Sequence, residues 1–108
     1  WLDRQLEMRN IPGMNINGYE NIVNTHTECA RLVKEGYVDV ALGLHAAAYQ
    51  HGLDFIPLFN ERYDLVIPQV HSRMLQPLLD IIHSSSFRRS LENLIGYDTA
   101  HTGEQIPL

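Results

Sequence analysis

The chain has 108 residues, enough for one small domain or part of a larger one. With 44% hydrophobic and 19% charged residues it is not a disordered segment, and a net charge of −5 argues against direct nucleic-acid contact. A single cysteine excludes an internal disulfide, and no apolar run reaches the ~18–20 residues of a membrane span.

The opening WLDRQLEMRN reads as a helix from Leu2 to about Arg9, with Leu2, Leu6 and Met8 on one side and nothing to cap its front. Lacking an initiator Met, it reads either as a trimmed N-terminus or, the favoured reading, as the C-terminal piece of a longer protein. Asn10, Pro12 and Gly13 break the helix. The next stretch, Met14 to Val23, mixes Asn and Gly with Ile16, Tyr19 and Ile22, and reads as loop with a short strand within 16–22.

The helix from His26 to about Glu35 is the best-marked element. Thr25 can cap it, and Glu28 three residues on completes a capping box. Cys29, Ala30, Leu32 and Val33 form its apolar stripe, on which Cys29 reads as an inert thiol, and Gly36 stands where a left-handed stop belongs. Val38–Leu42 then reads as a strand covered on both faces, ending at Gly43. The pattern repeats. An alanine-rich helix runs from His45 to His51, Gly52 stops it, and DFIPL (54–58) reads as the next strand. After a turn at Asn60–Arg62, YDLVIP (63–68) reads as a third, antiparallel strand.

Leu75, Leu78, Leu79, Ile81 and Ile82 recur at helical spacing, with Pro77 confined to the first turn. Ser84–Ser86 form the cap region of a last helix, Phe87 to Ile95, which Gly96 ends. Arg88 and Arg89 read as a solvated pair, and the tail is polar up to Ile106 and Leu108. Two helix–glycine–strand units in succession predict an α/β fold, a mixed and mainly parallel sheet with flanking helices.

The string THTECARLVKEGYVDVALGLHAAAYQHGLDFIPLFNERYDLVIP, followed by SFRRSLENLIGYDTAHTGE, resembles the C-terminal half of a type II periplasmic-binding-protein-like domain of molybdenum-cofactor-related proteins. The resemblance implies a two-lobed domain of which residues 10–53 belong to lobe two and 54–108 return to lobe one. It also implies fusion to a helix-turn-helix regulator or a molybdopterin biosynthesis domain, and a molybdate- or tungstate-like oxyanion as ligand. No cofactor is expected.

Three groups of residues could face such a ligand. Thr25 and His26 offer a hydroxyl, an imidazole and free helix N–H groups, which favour an anion; read plainly, they are a cap and an exposed first-turn residue. Gly43, Leu44 and His45 sit at a strand end, where backbone can approach a ligand, or else form an ordinary turn. Arg62 and Tyr63 could supply charge and a hydroxyl, or form a solvent-facing hairpin. The six histidines are scattered and match no metal-binding spacing.

The leading reading is a non-catalytic, cytoplasmic ligand sensor for a small anionic or polar molecule. An enzyme on the same fold, with His26 and Glu28 or Asp64 as an acid–base pair, and an assembly element are the alternatives. Half of a two-lobed domain leaves apolar faces open, notably YDLVIP and the 75–82 helix, so a homo-oligomer is expected.

Overall fold

The computed structural model describes residues 1–106, with the backbone alone at Gln69; Leu108, expected at the apolar end of the tail, lies outside them. Five helices form: α1 (Leu2–Met8), α2 (His26–Lys34), α3 (His45–Gln50), α4 (Gln76–His83) and α5 (Ser85–Glu92). Short 3-10 turns occupy Gly13–Asn15 and Gln69–His71.

The five helices lie close to their expected places, but α5 spans Ser85–Glu92 rather than 87–95. It closes at Asn93, so Leu94, Ile95 and Gly96 lie beyond it. The glycine stops of α2 and α3 act as their sequences require. At the end of α2 the Tyr37 N–H donates to Leu32 O and the Gly36 N–H to Val33 O, with Gly36 at φ +77°. The end of α3 repeats this, with Leu53 N–H on Ala48 O and Gly52 at φ +66°. This is the paired closure in which a left-handed residue lets two orphan carbonyls be satisfied. Asn10, at φ +53°, ends α1 in the same way.

The sheet is where expectation fails. The α/β fold, mixed and mainly parallel, is contradicted: no strand forms among the described residues. Residues 16–22, 38–42, 54–58 and 63–68 carry no ladder. No N–H of residues 38–44 or 54–67 donates a hydrogen bond to any described residue. The cause is the difference between local and non-local pairing. A helix satisfies its backbone four residues away, whereas a strand needs a second segment alongside. The runs that should neighbour each other, 39–41 and 54–56, instead flank a cleft.

What core there is lies between helices. The buried apolar residues are Leu6 of α1, Ala30 of α2, and Ala47 and Ala48 of α3. Small side chains let α2 and α3 approach closely, and these two helices pack together. The second packed pair is α4 with α5. Ser84 makes the corner between them: its Oγ donates to Ile81 O at 2.6 Å, while the Phe87 N–H donates to that Oγ at 3.2 Å. One hydroxyl thus ends α4 and caps α5. Arg88 is not merely solvated, since its Nη2 donates to Thr102 O at 3.1 Å and ties the tail to α5. At the other end of the chain, Trp1 stacks on Phe59 with ring centroids 5.5 Å apart.

The result is extended, 51 × 31 × 22 Å, with a radius of gyration of 18.1 Å against about 13 Å for a close-packed chain of this length. Its accessible surface is 9526 Å², where a compact chain of 12.4 kDa exposes roughly 6,100 Å². Much of the excess is apolar: Val66 is 90% exposed, Val40 82% and Ile56 80%.

Replacing Ser84 by alanine removes both corner hydrogen bonds. The expected outcome is a loss of about 1 kcal/mol, read as a lower denaturation midpoint in urea, with protection from hydrogen exchange falling first at the start of α5.

Candidate functional site

A cleft of about 380 Å³ opens beside the first turn of α2. Its walls come from α2 (His26, Cys29, Ala30), the segment after α2 (Asp39 to Ala41, Gly43, Leu44), and residues Leu53 to Ile56. Sequence therefore placed three of its seven candidates on one cavity: His26, Gly43 and Leu44.

Thr25 stands at the cleft's edge as the cap of α2. Its φ of −137° and ψ of 149° are extended, and its Oγ1 accepts the Glu28 N–H at 3.1 Å. Only half of the expected capping box forms. The Glu28 carboxylate turns away to Arg31, whose Nε and Nη2 donate to it at 2.9 and 2.6 Å, and Arg31 also holds Glu35. That fork pulls the Glu28 carboxyl below its ordinary value, the hydrogen bond from Arg31 being the main cause, and pushes the Arg31 guanidinium up. The N–H groups of His26 and Thr27 donate to no described residue, so two helix-end donors beside the cleft stay free for a ligand.

His45 does not line the cleft. It stacks flat on Phe55, with centroids 4.5 Å apart and 4° between planes. Gly96 covers it: a Cβ there would fall 2.7 Å from His45 Cβ, and Gly96 has φ +84°. This histidine is a packing residue that joins α3, the 53–56 wall and the chain after α5.

Arg62 and Tyr63 also lie off the cleft. Arg62 Nε donates to Asp64 Oδ1 at 2.9 Å, and the Tyr63 hydroxyl donates to Glu61 Oε2 at 3.3 Å. The Glu61 carboxylate raises the Tyr63 pKa by its charge and by that hydrogen bond. Sequence reasoning passed over Asp39 and Asp54, both in the wall; the signal was there, since each is the aspartate carried by one of the two repeated apolar runs. Cys29 is a free, half-buried thiol on the same wall. Among the described residues no three His, Cys, Asp or Glu side chains gather to hold a metal, and no helix is long and apolar enough to cross a membrane. A second groove, about 460 Å³, lies between α3 and the end of α5 with Glu92 as its only charged residue.

Comparison with known proteins decides the family. The model of the PBP superfamily domain, a periplasmic-binding-protein-like domain, matches residues 1–83. The chain belongs to this family. Domains of this family generally bind ligands rather than catalyse reactions. The chain is 34% identical over 105 residues to the uncharacterized protein YvgK of Bacillus subtilis (strain 168), covering 97% of itself but only 34% of that relative. It is 37% identical over 106 residues to an uncharacterized protein in the ferredoxin 2Fe-2S gene 5′ region of Clostridium pasteurianum, covering 95% of itself and 94% of the relative. It thus spans about a third of one relative and nearly all of the other. No solved structure matches it.

Two outcomes test this geometry. Gly96→Ala meets both a positive φ and the His45 ring, so it is expected to destabilise the chain by roughly 1–3 kcal/mol, with loss of the ring-current shifts that the Phe55 stack imposes on His45 in proton spectra. For Glu28 the folded-state pKa is depressed, so its contribution is present above the ordinary value of 4.5 and is lost as pH falls through the lowered folded value. A carbon-detected titration should place the Glu28 midpoint below 4.5, and Arg31→Ala should return it there.

Proposed function

We propose that the chain is a non-catalytic, small-ligand-binding lobe of a cytoplasmic sensor or of a molybdenum-cofactor-related protein. The observation that carries this reading is the convergence of His26, Gly43 and Leu44 on one cleft beside the free N–H groups of α2, in a chain of the binding-protein family. A molybdate- or tungstate-like oxyanion suits that helix end, where unpaired donors and the positive end of the dipole meet. Closure of a second lobe over the cleft would complete the site and pass the signal on. The free thiol of Cys29 suits a reducing compartment.

One observation favours a second ligand class. The cleft wall carries Asp39 and Asp54 but no Lys or Arg. Two carboxylates repel an anion and welcome an ammonium group or a hydroxyl-rich neutral molecule.

Thermal denaturation of the native polypeptide with molybdate, tungstate, sulfate or a molybdopterin precursor, and in parallel with primary amines and sugars, separates the two. At a hundredfold excess over Kd a native-state ligand stabilises by about 2.7 kcal/mol, a rise of several degrees. Gly43→Ala sharpens the test. Its Cβ would meet only Cys29 Cβ and His26 O, each at 3.9 Å, so the unliganded melting temperature should hold while the ligand-induced rise shrinks. No rise with any anion overturns the oxyanion reading, and a rise with amines or sugars instead assigns the cleft to the second class.

A further inference from the structure

The segment 54–67 is a backbone without partners. None of its N–H groups donates and none of its carbonyls accepts a hydrogen bond among the described residues. It is also apolar and open: Tyr63 is 73% exposed and Leu65 58%. Unpaired backbone beside exposed apolar side chains is the condition under which another chain adds as a strand.

We propose that residues 60–66 are a docking strand for a second copy of this chain, paired antiparallel about a two-fold axis through Tyr63. The sequence 60–66, Asn-Glu-Arg-Tyr-Asp-Leu-Val, is suited to pairing with itself. Only an axis through Tyr63 sets Arg62 of one copy opposite Asp64 of the other, and the symmetry makes that contact twice. Tyr63 then faces Tyr63, Glu61 faces Leu65, and Asn60 faces Val66, so no like charges meet. Arg62 and Asp64 already lie on one side of the segment, 2.9 Å apart, as residues two apart do in an extended chain. Their charges are therefore presented together and in the register the pairing needs.

The chain as a whole has apolar surface to cover. The surface of 9526 Å² exceeds that of a compact chain by roughly 3,400 Å², and a standard interface takes about 800 Å² from each partner. A second copy satisfies alternate N–H and C=O groups of 60–66, those on the edge that faces the partner, and covers part of this excess. The inference stands apart from the ligand reading, since none of these residues lines the cleft.

Light scattering on the chain of residues 1–108 at micromolar concentration, with hydrogen exchange, is the test. The expected result is twice the 12.4 kDa chain mass, with amide protection at 60–66. Arg62→Asp places carboxylates opposite Asp64 and should weaken dimerisation roughly tenfold; Asp64→Arg should do the same with two cations. Mixed together, the two weakened chains should pair with each other, because each then meets opposite charge. A monomer overturns the proposal, as does a dimer indifferent to both substitutions or a mixture that fails to associate. So does a chain whose 60–66 amides exchange freely until a different lobe is added, which assigns the face to that lobe.

Discussion

The close approach of α2 to α3 is the contact on which the site depends. The buried residues of these two helices are alanines, Ala30, Ala47 and Ala48, and only side chains of that size let two backbones come near. The seven residues of α3's approach and the glycine stop of α2 then have little freedom. They carry Gly43 and Leu44 against the first turn of α2 and bring Leu53–Ile56 back along the other wall. A larger residue at position 30 or 48 would separate the helices and open the cleft at its floor, since both alanines line it.

Helices and their ends were legible because their causes are local. Thr25, Gly36, Gly52 and Ser84 each act within a few residues of themselves, so a reader of the sequence sees cause and effect side by side. The sheet was not legible in the same sense. Val38–Leu42 and Tyr63–Pro68 have the composition of strands, but composition supplies only the faces of a strand. The lateral hydrogen bonds come from another segment, and nothing in a run of Val, Leu and Ile says whether that segment lies in reach. The same distinction sorts the site. His26, Gly43 and Leu44 line the cleft because a helix start and a glycine after an apolar run are local features, although the strand expected before Gly43 does not form. His45 was misread because its partners, Phe55 and Gly96, are distant in sequence. Arg62 and Tyr63 were misread because their own carboxylate neighbours, Asp64 and Glu61, occupy them.

The two packed helix pairs divide the labour. The α2–α3 pair holds the cleft, and the α4–α5 pair, folded at Ser84 and pinned by Arg88 to the tail, carries no part of its wall. The stretch from 54 to 67 connects them in sequence, with its backbone unpaired among the described residues. The packing between elements is concentrated within each pair, and His45, stacked on Phe55 and covered by Gly96, links α3 to the chain after α5.

The stack of Trp1 on Phe59 has an optical meaning. Trp1 is the only tryptophan in the chain, and it is half exposed while resting on Phe59, the residue just before the 60–66 stretch. Its indole emission is therefore a label the molecule already carries. Any molecule that settles on the 60–66 stretch changes the water around that ring, so the emission maximum reports the covering of this face with no dye, tag or substitution.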